Sequence, residues 1–216
     1  MKVEIRLEKP ADHRQVEFVV REAFWNVYAP GCTEHYLIHI MRSSPNFISQ
    51  LDFVAVADNK IVGSVVFLKG KILGDDGTSY EDVLSLGPIA VLPSYQKKGF
   101  GQMLVNQAKI EAAKAGYRAF LLCGDPQYYS KLGFKPAEIY SIRTSENKYF
   151  DALQALPSYE EALSGMSGRY FEDEIYLVDE EKAKIFDQRF PAKERVTGNK
   201  SQQRFLEFLA KQRDFN

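Results

Sequence analysis

Only two cysteines, Cys32 and Cys123, occur in the 216 residues, too few for a disulfide framework. The opening Met1-Lys2-Val3-Glu4-Ile5-Arg6 lacks the apolar core of a signal peptide, so a reducing cytoplasm is the expected compartment. Long hydrophobic runs are also missing. Val62 to Leu68, among the longest, is broken by Gly63 and Ser64 and falls far short of the roughly 20 residues that cross a bilayer, so no membrane partner is expected. Nor is there an excess of one charge: 28 basic residues face 29 acidic ones. That balance leaves no global field to hold nucleic acid, which is likewise not an expected partner, and any phosphate recognition must be local. Repeats and low-complexity linkers are absent. What is present is 45% hydrophobic residues, enough for one well-buried core and short for two, so one domain is expected.

Val3 to Leu7 alternates apolar and charged side chains as a half-buried strand does, and Pro10 ends it. Asp12, with Gln15 three residues later, has the pattern of a capping box opening a helix. Val16, Val19, Val20, Ala23, Phe24 and Val27 form one face of that helix. Glu34 to Met41 reads as a second, shorter helix. Leu51 to Ala57 and Ile61 to Leu68 read as strands joined by a hairpin turn at Asp58-Asn59-Lys60. The turn Gly74-Asp75-Asp76-Gly77 then leads to a strand from about Asp82 to Val91, completing an antiparallel meander. Leu104, Ala108, Ala112 and Ala115 make a narrow stripe on a helix closed by Gly116. Ala119 to Cys123 is a short buried strand, parallel to the one before the helix because a single crossover joins them. Beyond Tyr140 the pattern weakens. A broken helical segment is expected within Tyr149 to Gly165, a strand from Tyr170 to Val178 and a terminal helix from Gln202 to Gln212.

The segment Val91-Leu92-Pro93-Ser94-Tyr95-Gln96-Lys97-Lys98-Gly99-Phe100-Gly101-Gln102 runs from a strand end through a glycine-containing loop into the stripe helix. A helix start offers backbone N–H groups without intrahelical partners, and the helix dipole adds to their attraction for an anion. Gly99 and Gly101 remove side chains that would keep a phosphate away, and Lys97 and Lys98 add local positive charge. The segment therefore reads as a pyrophosphate cradle. It is no P-loop, since Gln102 and Met103 follow Gly101 where Lys and Ser or Thr are required. It is a poor dinucleotide fingerprint, since Leu104 stands where a third Gly belongs.

Gln96, Gly99 and Gly101 instead match the Gln/Arg-x-x-Gly-x-Gly/Ala signature of the GNAT N-acetyltransferases, which the chain resembles at two further places. Leu86-Gly87-Pro88-Ile89-Ala90-Val91 resembles the family's central bulged strand, and Tyr128-Tyr129-Ser130-Lys131-Leu132-Gly133-Phe134 its Tyr-x-x-x-Gly-Phe segment. The resemblance covers Val3 to about Phe134; the remainder is similar in outline to a bacterial subgroup with a longer C-terminal part. It implies an α/β (α+β) fold with a mostly antiparallel central sheet, splayed central parallel strands and flanking helices. Residues 1–140 would be the acetyl-CoA-binding core and 141–216 the completion of the same domain.

The resemblance further implies acetyl-CoA as cosubstrate. Ile89, Ala90 and Val91 would hold its thioester and pantetheine, and Gln96, Lys97, Lys98, Gly99, Phe100, Gly101 and Gln102 its pyrophosphate. Pro88, unable to donate a ladder hydrogen bond, suits a bulge beside that arm. The acceptor would be a small-molecule or peptide amine, and many relatives pair as homodimers. An amine with a reference pKa of about 10.4 is nucleophilic in roughly one molecule in 2,500 at pH 7, so deprotonation needs help, while the departing thiolate benefits from a proton donor. Tyr129, four residues before Gly133, is the candidate acid by its position in the family's segment. The Ile89 N–H would meet the oxyanion. Glu22, Glu34, His35 and Glu81 are all candidate bases, with nothing selecting among them, and water-mediated proton loss stays open. That gap keeps two other readings alive: a catalytically silent acyl-CoA-binding or sensing module, and a protein lysine or N-terminal acetyltransferase. His35 and His39 have metal-ligand spacing but no second cluster, so no metal is expected. Cys123, in an apolar strand without a nearby His, is expected to be inert. Phe24, Trp25 and Tyr28 either line an acceptor pocket or pack in the core.

Overall fold

The structure, a computed structural model, describes residues 2–215. From the N-terminus come β1 (Val3–Leu7), α1 (His13–Phe24), α2 (Glu34–Met41), β2 (Phe53–Ala57), β3 (Lys60–Leu73) and β4 (Ser79–Val91). Then follow α3 (Phe100–Lys114), β5 (Ala119–Cys123), α4 (Pro126–Tyr129), β6 (Lys135–Pro136), β7 (Ile142–Arg143), β8 (Lys148–Phe150) and β9 (Leu153–Pro157). The last are β10 (Gly168–Phe171), α5 (Glu180–Asp187), α6 (Lys200–Leu209) and β11 (Gln212–Asp214). Strands β1-β2-β3-β4-β5-β9-β6 follow one another in the main sheet, with β10 joining β3 to β7, and β11 pairs with β8 in a small separate sheet. The sheet is mostly antiparallel with a parallel β4–β5 pair, the mixed architecture expected.

Two compact units divide the chain. The first gathers the residues up to Phe67 with Gly87–Ala108 and Glu174–Arg204. Its β2–β3 hairpin turns at Asp58 and Asn59, both with positive φ (47° and 65°), as a tight two-residue turn requires. Val16, Val19 and Val20 on α1 are fully buried, each burial stabilising by about 1.5–3 kcal/mol. Asp12 does not cap α1 as expected. A 3-10 turn, Pro10–Asp12, precedes the helix, and Asp12 instead accepts from Arg6 Nη1 (2.6 Å) and the Lys9 N–H (2.8 Å). The ion pair with Arg6 takes the oxygens a cap would have used, and it lowers the Asp12 pKa. Strand β2 starts at Phe53 rather than Leu51, since Ser49–Leu51 forms another 3-10 turn.

The second unit holds Leu68–Leu86, Lys109–Asp173 and the residues from Phe205 onward. Val83, Leu84 and Ser85 of β4 pair with Ala119, Phe120 and Leu121 of β5, and the parallel ladder ends there. β5 continues to Cys123 against β9, where Cys123 pairs with Leu153. Ile72, Val83, Ala119, Leu121 and Tyr170 share one core cluster. The broken helix expected within Tyr149 to Gly165 is absent: that stretch contributes to β8, forms β9 and ends in turns. Leu153 to Leu156 is buried on every residue, the pattern of a strand covered on both faces rather than of an amphipathic helix. Tyr170 to Val178 is not one strand, because β10 stops at Phe171 and Glu174–Tyr176 coils into a 3-10 turn. The small-residue stripe of α3 ends at Ala112, and Ala115 is exposed.

In the first unit Asp52 is buried beside Glu8, with Arg42 pairing Glu8 at 2.6 Å and Glu17 at 3.2 Å. Burial first, and the Glu8 carboxyl second, hold the Asp52 pKa well above the usual carboxylate range. A raised folded pKa gives stability that is complete below the ordinary value and is lost as pH rises toward the folded one. Wild-type stability is therefore expected to fall relative to Asp52→Asn as pH rises from 5 to 9 in urea unfolding; a pH-independent difference would contradict an uncharged Asp52.

Candidate active site

β4 leaves the sheet at Val91, and Leu92 N–H still donates to Val62 O (2.8 Å) on β3. There β3 and β4 lie so close that a side chain at Gly63 would stand 2.9 Å from Ala90 O and 3.3 Å from Leu104 Cδ1 of α3. Glycine at 63 is thus what lets α3 settle on this part of the sheet. Ile89, Ala90 and Val91 are all buried. The Gly87–Pro88 peptide is cis, and the Gly87 carbonyl accepts from Tyr176 Oη at 3.1 Å.

A 3-10 turn, Pro93–Tyr95, follows, and then Gln96 folds its side chain back so that Nε2 donates to Val91 O (3.1 Å). Lys97 and Gly99 take left-handed backbone (φ 60° and 85°), and α3 begins at Phe100. Met103 N–H donates to Gly99 O at 3.0 Å. Phe100, Gly101 and Gln102 precede that bond, so their N–H groups have no intrahelical acceptor. A Cβ at Gly99 would meet nothing within 4 Å, so its side is open. Lys98 is turned onto the loop itself, its Nζ 2.8 Å from Ser94 O and 5.1 Å from the Tyr95 ring centre. Lys97 and Lys98 are both exposed, and no side-chain contact is shown for Lys97 among the described residues. Gln96 to Gln102 thus form one continuous turn opening α3, all within the first unit.

Tyr129 belongs to the second unit. It ends α4, whose first turn is capped by Asp125 accepting the Gln127 N–H. The ring is buried, 5.0 Å from Tyr128 and 5.5 Å from Phe134. It lies so tightly over Gly124 that no Cβ fits there. Gly133 takes the left-handed conformation (φ 91°) that turns the chain back toward β6.

The candidate bases divide by their partners. Glu22 pairs with Lys193 at 2.9 Å. Glu34 accepts the Thr33 N–H at 3.0 Å, and burial raises its pKa. Glu81 is exposed and accepts from Ser79. His35 is fully buried, 3.1 Å from Asp187, and desolvation pushes its pKa down to about 4. His39 Nδ1 lies 2.9 Å from Glu17. No group of three or more His, Cys, Asp or Glu side chains arranged for a metal occurs among the described residues. Trp25 is held by its indole N–H on Glu194 O (2.8 Å) and by the Arg21 guanidinium 4.2 Å over its ring, with Lys193 and Arg195 also near the ring, so it packs against 193–195. Cys123 is exposed, not buried as expected, although desolvation by the surrounding protein still pushes its thiol up to about 12. Two contributors escaped the sequence reading. Tyr176 was placed in a strand, and Gly124 bore no motif; a glycine immediately after a buried strand and before a helix was the available signal.

Likeness to known proteins makes the chain an acyltransferase. Residues 50–136 match the model of the acetyltransferase (GNAT) domain, so that stretch of the chain carries a GNAT acetyltransferase domain. A similar protein is the N-acetyltransferase YhbS of Escherichia coli strain K12, 28% identical over 165 residues, which cover 76% of this chain and 92% of that one. The crystal structure of E. coli YhbS in complex with CoA superimposes with a TM-score of 0.71 at 25% identity, over 82% of this chain and 93% of that one. A GNAT family acetyltransferase from Brucella melitensis in complex with acetyl-CoA shares the fold with a TM-score of 0.63 at 24% identity, over 81% and 98%. No helix among the described residues is long and apolar enough to cross a membrane.

The Gly124–Tyr129 contact is testable without any ligand. Gly124→Ala forces the ring aside and is expected to cost about 1–3 kcal/mol by overpacking. Equilibrium unfolding in urea measures it, and a wild-type midpoint would mean that the ring has room to move.

Proposed function

We propose that the protein transfers the acetyl group of acetyl-CoA to a primary amine by direct attack. The observation that carries this reading is the turn opening α3, where Phe100, Gly101 and Gln102 offer N–H groups that no helical carbonyl accepts. Their dipoles, with the exposed Lys97 nearby in sequence, suit a pyrophosphate. The CoA and acetyl-CoA in the structures of the two relatives support the same assignment.

In this reading Ile89, Ala90 and Val91 bind the pantetheine arm and thioester through backbone groups, with the Ile89 N–H meeting the oxyanion. Gln96, Lys97, Lys98, Gly99, Phe100, Gly101 and Gln102 form the pyrophosphate cradle, Gln96 acting by bracing Val91 O. Tyr129 gives its phenolic proton to the departing thiolate, since a phenol near pKa 10 is protonated at neutral pH. Residues 141–216 complete the same domain as 1–140. The acceptor is a small-molecule or peptide amine.

Calorimetric titration with acetyl-CoA, with CoA and ATP as comparisons, tests the reading before any acceptor is known. Micromolar binding of acetyl-CoA and none of ATP is expected; absence of binding would make the loop purely structural. Gly101→Asp sets a negative side chain in the cradle and is expected to abolish that binding while leaving unfolding unchanged. Tyr129→Phe is expected to lower kcat by about 100-fold with acetyl-CoA affinity retained, because the lost proton matters in the transition state. A rise in KM alone, with kcat intact, would remove Tyr129 from the acid role. Tight binding without turnover, unaltered by Tyr129→Phe, would identify a sensing module.

A further inference from the structure

From Val83 to Val91 every residue of β4 is buried except Gly87, which is half-buried, and a Cβ built on Gly87 would meet nothing within 4 Å. The covered strand opens at that one residue. Gly87 takes φ 140°, a backbone angle that residues with side chains rarely adopt, and glycine has no Cβ to restrict it further. Pro88 follows, its φ fixed by its own ring. Gly87 is thus the soft joint immediately ahead of Ile89, Ala90 and Val91.

The parallel ladder with β5 ends at Ser85, before that joint is reached. A side chain holds it instead. Tyr176 Oη donates to the Gly87 carbonyl at 3.1 Å, and both residues belong to the first unit. Tyr176 is carried on the 3-10 turn Glu174–Tyr176, whose Glu174 carbonyl accepts the Leu177 N–H (2.9 Å) and which packs against α2 of the same unit. On the other side of Ile89, Gln96 Nε2 donates to the Val91 carbonyl at 3.1 Å. Residues two apart along a strand turn their backbone groups to the same edge. Ile89 therefore presents its N–H and C=O to the edge on which Gln96 holds Val91 O. The backbone on either side of Ile89 is fastened by a side chain, where a neighbouring strand would otherwise do so.

We propose that Tyr176 is a positioning residue for acyl transfer: by holding the Gly87 carbonyl it fixes the direction of the Ile89 N–H toward the thioester oxygen. The proposal rests on the acetyltransferase reading, which gives that N–H the oxyanion, and it uses groups of the first unit alone. Tyr176 neither gives nor takes a proton. The direction of the Gly87 carbonyl is the ψ torsion of Gly87, and with the φ of Pro88 set by its ring, fixing that torsion removes most of the freedom between the joint and Ile89. A donor aimed in advance stabilises developing charge without having to reorganise as the charge appears. With the hydroxyl gone, the glycine joint is free to turn, and the Ile89 N–H is aimed only part of the time.

Tyr176→Phe in the full chain keeps the ring and removes the hydroxyl. The first measurement needs no acceptor: calorimetric titration with acetyl-CoA and with S-ethyl-CoA, a thioether that has the same arm and pyrophosphate but no carbonyl oxygen. The wild type is expected to bind acetyl-CoA severalfold more tightly than the thioether. Tyr176→Phe is expected to lose that preference while binding the thioether as the wild type does. An undiminished preference in the variant would overturn the proposal, and so would a wild type that binds the two ligands equally. A wild type that binds neither would remove the acetyltransferase reading itself. The second measurement is CoA release with an amine that the wild type acetylates, drawn from spermidine, lysine ethyl ester and 2-phenylethylamine. Tyr176→Phe is expected to lower kcat by about 10-fold or more with the KM for the amine unchanged. A lowered urea midpoint with ligand preference and kcat intact would make the hydroxyl a structural support and overturn the positioning role.

Discussion

A parallel strand pair has no hairpin to hold its ends together, so it lasts only as far as packing on its faces supports it. Here the ladder is Val83 with Ala119, Leu84 with Phe120 and Ser85 with Leu121, and it stops. β5 runs on to Cys123 with β9 as its strand partner, so Leu122 and Cys123 have one edge without a ladder among the described residues. Unpaired strand edges are ordinarily a hazard, because they invite another chain to add itself. In the proposed function the same edge would take the extended arm of the cosubstrate, the logic of strand addition.

The parts of the fold that were legible in the sequence are those where local pattern and tertiary context agree. Glu34–Met41 and Ala119–Cys123 have the bounds read from sequence: the first opens on an acidic residue and ends before Arg42, and the second is apolar throughout between Arg118 and Gly124. The Asp58-Asn59 turn was legible because those residues tolerate left-handed backbone. The turn opening α3 was legible for a similar reason, since Gly99 must be glycine-like at φ 85° and the helix follows at once. Misreadings came where the local pattern was silent or was overridden by a side-chain contact. Asp12 looked like a cap until Arg6 took its oxygens, and the buried Leu153 to Leu156 has no periodicity that separates strand from helix.

Charge in the chain is spent locally. Arg21 is 1% exposed and is matched by Asp187 at 2.6 Å and by the Pro191 carbonyl at 3.1 Å. Arg42 bridges Glu8 and Glu17. These pairs offset the desolvation of buried guanidinium groups, and they explain how a nearly neutral chain carries so many charges without a field of one sign.

Arg21 bears on the order in which the chain folds. The end of α1 is completed by residues made much later: Asp187 for Arg21, Glu194 O for Trp25 and for Asn26, and Asn199 for the Asn26 carbonyl. During synthesis from the N-terminus, α1, α2 and β2 leave the ribosome long before those partners exist. The first unit must then wait with a buried cation uncompensated, or stay open until the segment reaching Asn199 has emerged. Closing so long a loop is entropically slow, so the first residues made are among the last to be locked.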